Sequence, residues 1–301
     1  MTKGVVKIIL FSLLAVVLIG VLVFALRFDG ELPSFFRGGT NYAEPESYTV
    51  GGGSVKGELS RIELHWVGGS VDIRTYDGDE IVLTETGAGS EKEQLRYRLR
   101  NGTLTVHYRK NGFYWSASTN KTLELLIPQS QAAALRSFEI DTASADVTVQ
   151  GVTAQSFDLD TASGELRAVD CSFQAFEADT SSGDCTLENC TVGSFEMDAA
   201  SGRAILSGSV ETVEFDSASG DLRITTTTVP RKIEVSTASG RTELTLPQDA
   251  EFTAEIDAAS GDLRVEGFLG SSGKDLFVCG SGTNRYSFDS ASGDVIIRAG
   301  E

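Results

Sequence analysis

Histidine is almost missing from this 301-residue chain, which has only His65 and His107, and its four cysteines are Cys171, Cys185, Cys190 and Cys279. That inventory contains no Cys-x-x-Cys pair and is too thin for a structural zinc site. It also excludes a disulfide-dense secreted scaffold. Proline is equally sparse, 5 residues against 32 glycines, which suits tight turns between strands rather than a stiff linker. Positive charge is outnumbered, with 25 Lys and Arg against 43 Asp and Glu. The net charge of −18 excludes nucleic acid as a partner, because phosphate binding needs a basic surface. No GxSxG, HExxH or phosphate-binding glycine loop occurs.

The acidic excess is uneven. Met1 to Ile127 carries 14 acidic and 14 basic residues, whereas Pro128 to Glu301 carries 29 acidic and 11 basic. Ile8 to Leu26 is a run of 19 residues without a charge, preceded by Lys3 and Lys7. At about 1.5 Å per helical residue it matches the roughly 30 Å hydrocarbon thickness. The positive-inside rule puts its N-terminus in the cytoplasm and the rest outside. A cleaved signal peptide is the competing reading, with Val23-Phe24-Ala25 as its cleavage pattern, but the run exceeds an ordinary signal core. The expectation is a single-pass protein of the cell membrane with residues 1–27 as cytoplasmic tip and anchor. Residues 28–57, with Gly51-Gly52-Gly53 and no sustained periodicity, read as a flexible stalk.

From Phe138 onward the chain repeats itself: IDTASADVTV, LDTASGELRA, ADTSSGDCTL, MDAASGRAIL, FDSASGDLRI, VSTASGRTEL, IDAASGDLRV and FDSASGDVII. The corner serines fall at 144, 163, 182, 201, 219, 239, 260 and 292. Within each copy apolar residues alternate with period two, as in Phe157 and Leu159 before the corner and Leu166 and Ala168 after it. Each unit is therefore strand, small-residue corner, strand, turn, and a unit this short buries its apolar side only by stacking on its neighbours. The predicted fold is all-β: a parallel β-solenoid, by crossover handedness a right-handed single-stranded β-helix, after one N-terminal transmembrane helix. Coils of about 19 residues fill 128–301, and 58–127 is a β-rich section that starts the solenoid. There Arg61 to Arg74, RIELHWVGGSVDIR, reads as a divergent first copy, and Asn101-Gly102 between alternating runs signals a hairpin. The long interval before the last copy holds KDLFVCGSGTNRYSF, an added strand pair expected to cover the C-terminal end.

These residues resemble a known family. RIELHWVGGSVDIR, TLELLIP and the repeated (I/L/F)D(T/S/A)ASG(D/E)(L/V)R(I/V) are similar to the bacterial putative-adhesin family of unknown function, membrane-anchored proteins with β-strand repeats. The resemblance covers Glu58 to Glu301 and implies a right-handed β-helix outside the cell membrane, with no known activity and no catalytic residues.

The candidate site is a column of aspartates, Asp141, Asp160, Asp179, Asp198, Asp216, Asp257 and Asp289, broken at Ser236. Stacked about 4.8 Å apart, neighbouring carboxylates repel by roughly 1 kcal/mol in water and about 3–4 kcal/mol at an effective dielectric of 20. Calcium bound along the column would offset this. So would backbone N–H groups donated to each Asp at the following corner, with no cofactor at all. A second charged line, including Asp146, Glu165, Asp184, Arg203, Asp221 and Arg241, alternates in sign with Arg167, Arg223 and Glu243.

Cys171 and Cys190 lie one period apart, either as a disulfide or as two small apolar residues in equivalent turns. The two histidines read as strand residues with ordinary partners. Asn111 to Trp115 is a turn with three aromatics, a contact for carbohydrate or protein or a cap on the solenoid. No His, Lys or Arg cluster breaks the repeat, so the expectation is not an enzyme. The expected function is a non-catalytic adhesion or envelope-interaction module held to the cell membrane through Ile8 to Leu26, its partner an unknown surface glycan or protein. The alternatives are an envelope-stress or regulatory accessory protein docking a membrane partner, and an enzyme acting on a surface polysaccharide.

Overall fold

The alternating apolar pattern becomes two parallel ladders that share one register through the stack. In the computed structural model, which describes residues 39–40, 42–110, 112–113, 120–133, 135–273 and 275–300, the strand Leu135–Gln150 turns the corner at Ser144 without a break. Its first half pairs with Thr153–Thr161, Phe138 opposite Phe157 and Asp141 opposite Asp160. Its second half pairs with Glu165–Val169, Val147 opposite Leu166. Each later copy repeats this step one rung on.

Every second side chain points inward and forms a column. Phe157, Phe176 and Phe195 stack with ring centroids 5.1 and 5.3 Å apart and nearly parallel planes, the spacing of the rungs themselves. Volume balances across columns: where Phe176 fills one, Ala178 occupies the next, and where Val213 leaves room, Phe215 takes it. At the corners the backbones of successive coils touch. A Cβ on Gly202 would collide with the carbonyl oxygen of Gly183, so the Ser-Gly step is needed for close approach. The opposite turn is closed by Gly151, Asp170 and Asn189, all at positive φ, a conformation that Gly, Asp and Asn tolerate best. The one-residue-shorter coil after Ser201 is absorbed there, as a register shift between Leu187 and Cys190.

Arg61–Tyr76 is a coil in full register, Ile62 opposite Phe138 and Val71 opposite Val147, although 76 residues separate the two. On its other side lie Thr103–His107 and Thr122–Pro128, which together make one more parallel rung. That rung is covered by antiparallel strands, Arg96–Arg100 on one half and Ile81–Thr86 on the other. Before its first coil the chain lays Thr49–Val50 and Gly53–Val55 antiparallel on the outer edges of those covering strands; it then drops to the coil 61–76, builds the rung beyond it, and steps back over that coil.

The C-terminal end mirrors this order and departs from the linear stacking that the repeats suggest. Asn284–Ser292 and Val295–Ala299, the last copy in sequence, insert between Lys232–Ser239 with Thr242–Leu246 and Phe252–Ser260 with Leu263–Glu266. The terminal rung is therefore the penultimate copy. The added pair does cover an end, Leu276–Cys279 lying antiparallel against Phe252–Ser260 and Gly270–Ser272 antiparallel against Leu276–Cys279.

The apolar run 8–26 lies outside the described residues, as do Tyr114 and Trp115 of the aromatic turn; Gly112–Phe113 pairs with Gly39–Thr40. Among the described residues no helix is long and apolar enough to cross a membrane.

Candidate functional site

The aspartate column runs along the outer face of the first ladder. Asp141, Asp160, Asp179, Asp198 and Asp216 follow one another rung by rung, Ser236 interrupts, and the order then reverses to Asp289 before Asp257. Two residues earlier on the same face stands a second acidic column that the sequence reading overlooked: Glu63, Glu139, Asp158, Glu177, Glu196, Glu214 and Glu234, with Ser287 and then Glu255. Its signal was the residue two before each Asp, always polar between two apolar neighbours.

The density of like charge shows in the titration of the middle rungs. Partial burial, then Asp179, Asp216, Glu196 and Glu214, push Asp198 up to about 7. Burial and like-charged neighbours also raise Glu196 and Asp289, and burial with Glu234 raises Asp216 despite a hydrogen bond from Ser236. Part of the repulsion is thus relieved by protons near neutrality. Among the described residues no group of three or more His, Cys, Asp or Glu is arranged to hold a metal ion.

Threonine hydroxyls close two of the corners. Thr142 Oγ1 accepts the Ala145 N–H at 3.0 Å, and Thr180 Oγ1 accepts the Gly183 N–H at 2.6 Å. After the corner, Asp146, Asp184 and Asp221 each accept a backbone N–H of the next coil, from Glu165, Arg203 and Arg241 at 3.0, 2.8 and 2.8 Å. The alternating charges on that side pair across coils as their signs require, Arg167 with Glu188 and Arg223 with Glu243.

The two histidines are the first rungs of the aspartate column. His107 lies opposite His65, and His65 opposite Asp141. His65 Nδ1 is 2.6 Å from Asp141 Oδ2, and the imidazoles stack at 4.8 Å. Tyr42 stacks on the far face of His107 at 3.9 Å. Burial pushes the His65 ring down, but the hydrogen bond and charge of Asp141, helped by Glu139 and Glu63, outweigh it, and the net direction is up. His107 is driven down to about 3 by burial, by His65 and by Arg98. The column therefore begins with a neutral ring, continues with a hydrogen-bonded His-Asp pair, and becomes acidic. His65 was legible from the alignment of RIELHWVGGSVDIR with the repeat; His107, in a stretch without the corner motif, was not.

Behind the histidines the end of the stack is built around a buried cation. Lys121 is 0% exposed and pairs with Glu85, 4% exposed. Its ammonium donates to the carbonyl oxygens of Glu93 and Tyr108 and lies 4.0 Å from the Tyr108 ring centroid and 4.9 Å from that of Trp66. Cys171 and Cys190 stack in successive turns as buried thiols in hydrogen-bonding reach of each other.

Comparison with solved structures finds similar chains at low identity. A putative cell adhesion protein from Clostridium sporogenes matches 84% of this chain and 100% of its own at 9% identity, with a TM-score of 0.26. A putative adhesin from Parabacteroides distasonis matches 84% and 97% at 11% identity and 0.36. A putative lipid binding protein from Parabacteroides distasonis matches 83% and 97% at 12% and 0.30. No curated protein matches the chain. The model of one family, Toastrack DUF4097, matches residues 59–298, from just before the first coil to the last strand. With that span inside one continuous solenoid, the chain belongs to the Toastrack DUF4097 family.

Proposed function

We propose that the chain is a non-catalytic interaction module of the cell envelope, held to the membrane by Ile8 to Leu26 and presenting its solenoid outside the cell. The observation that carries this reading is the repeated outer face. The same two acidic positions recur on successive rungs of a stack fixed by core columns and corner contacts. A face that repeats every ~4.8 Å suits many weak contacts with an extended or repetitive surface, where avidity supplies strength. A catalytic site instead concentrates unlike groups at one departure from the repeat. The chemistry of the face selects cationic or polyhydroxylated surface material, a glycan or a protein.

The test uses the full chain in intact cells. Extracellular protease is expected to digest the solenoid without lysis. Isolated envelope material is expected to bind the parent, to be released by salt, and to bind at least tenfold less well when Asp160, Asp179, Asp198 and Asp216 are changed to Asn. Equal binding by that variant overturns the reading, as does protection of the solenoid in intact cells or depolymerisation of a surface polysaccharide.

A further inference from the structure

The acidic outer face departs from its repeat where the last copy is inserted. The column two residues before the glutamates runs Ser137, Ser156, Ala175, Ser194 and Thr212, all small and uncharged. On the next two rungs it becomes Lys232 and Arg285, side by side, and then returns to Thr253. The acids thin out on the same two rungs: Ser236 stands in the aspartate column and Ser287 in the glutamate column. Arg231 precedes Lys232, so three cations meet within two rungs. The amino-acid sequence shows no such cluster, because Lys232 and Arg285 belong to copies with another copy between them. The order of the coils brings them together.

The three cations line an open groove of about 370 Å³, with Glu234, Thr253 and Ser287 beside them. Lys232 is held by Glu234 at 2.6 Å, but Arg231 and Arg285 are exposed and take part in no ion pair among the described residues. Elsewhere on the solenoid Arg167, Arg223 and Arg298 each lie against a carboxylate. The backbone under the groove is fixed. The Arg285 N–H donates to the Arg231 carbonyl oxygen at 3.1 Å, and the buried Tyr286 donates its hydroxyl to the Pro230 carbonyl oxygen at 2.9 Å. Two anchored arginines with no carboxylate paired to either suit an oxyanion, which guanidinium groups grip through parallel N–H donors.

We propose that Arg231 and Arg285 bind one compact oxyanion in this groove, a phosphate group, free or carried as a monoester, while Lys232 offsets Glu234. Ser287 offers a hydroxyl donor where the repeat has a negative charge. The surrounding acids set the size of the ligand. Glu234 and Glu255 flank Ser287 on the neighbouring rungs, about 4.8 Å to either side and well inside a Debye length. A long polyanion would meet those acids, whereas a single group stays among the cations. No His or Cys lines the groove, so it is built to hold an anion rather than to react with it. This inference does not depend on the envelope role proposed above.

Phosphorus NMR of the full chain in non-ionic detergent, titrated at low ionic strength with inorganic phosphate and with glycerol phosphate, tests the proposal. The parent is expected to bind saturably at one site per chain with a dissociation constant of about 1 mM. Arg231→Gln combined with Arg285→Gln is expected to weaken binding about tenfold or more. Ser287→Glu is expected to do the same. It restores the residue that the repeat carries at Glu177, Glu196 and Glu214, so the fold has no reason to suffer. Arg167→Gln, at a paired arginine on the second ladder, is expected to bind as the parent does. Thermal melts check that each variant is folded. Tighter binding of glycerol phosphate identifies a carried group as the ligand; equal or weaker binding identifies the free ion. No saturation by about 20 mM overturns the proposal. So does binding that survives the double arginine change or Ser287→Glu, and so does an equal loss in Arg167→Gln, because general surface charge is then responsible.

Discussion

At the His107 end of the stack both halves of the last parallel rung are covered by antiparallel strands, whereas at the Val265 end only the first half is covered. The closed end also buries charge. Lys121 and Glu85 are out of water together, with Trp66 and Tyr108 rings against the ammonium. Among the described residues the open end buries none and leaves Leu263 and Val265 half in solvent. Solenoid ends must hide an apolar cross-section and a row of backbone groups. One end here does so with its own chain, and the other leaves half of its last rung as an open edge. What the ends share is interlocking: in each, a coil remote in sequence order is held between two others, so neither end frays one coil at a time.

The largest effect is expected from breaking that interlock. A chain ending at Thr283 removes the inner rung at 284–299 and strands the terminal rung 252–266 without its partner. Its melting midpoint is expected to fall by more than about 10 °C, with hydrogen exchange protection lost from 252–266 while 137–199 keeps its own. Retained protection at 252–266 would show that the terminal rung can dock directly on Lys232–Leu246.

Next comes the closed end. Lys121→Met leaves Glu85 buried without its cation and is expected to cost about 4 kcal/mol in chemical denaturation. At the open end Val265→Ala is expected to cost about 1 kcal/mol, against about 3 kcal/mol for Ile297→Ala one rung inward, because a half-exposed position has less burial to lose. Equal losses at 265 and 297 would mean that the edge is covered in solution.

Acid should separate members of the charged column by sign. The folded state raises Asp198 to about 7, so it binds protons more tightly than the unfolded chain; this contribution to stability grows as pH falls through 7 towards 4. His65, also raised, contributes stability that is full below its unfolded value near 6.5 and is lost as pH rises through the folded one. His107, lowered to about 3, acts oppositely: its contribution is present above 6.5 and lost as pH falls from there towards 3. Asp198→Asn is therefore expected to raise the melting midpoint at pH 8 and flatten its rise on acidification. His107→Asn is expected to remove part of the loss below 6.5. Because no group of three or more His, Cys, Asp or Glu among the described residues is arranged to hold a metal ion, calcium and chelator are expected to give the same melting midpoint at pH 8; a calcium-specific rise would instead identify a metal ladder.

The smallest effect is expected at the thiols. Cys171 and Cys190 are buried in the folded chain and are expected to resist alkylation until it unfolds, with two fewer reactive thiols only if the pair has oxidised.

Much of this architecture was legible in the amino acids. Period-two alternation around a Ser-Gly corner forces strands, and copies that cannot hide Phe157 or Leu166 alone must stack, so register followed from the repeat. Arg61 to Arg74 was recognisable as a coil for the same reason, since Ile62, Leu64, Val71 and Ile73 occupy the repeat's inward positions. The order of the coils was a different matter. Copies with matching inward residues fit against one another interchangeably, so Asp289 beside Ser236 and Asp257 beyond it could not be read from spacing. The connections and the covering strands decide that order. The site divides in the same way. Alternation placed the aspartates on one outer line, while the meeting of His107, His65 and Asp141 joins residues 42 and 76 positions apart in the chain. The amino-acid sequence by itself determined the strands, the corners and which residues share a column, because those depend on local periodicity and on what one coil must bury. Only the tertiary structure decided which coil lies at each end and where the charged column meets the two histidines, because stacking energy is nearly indifferent to the order of like coils.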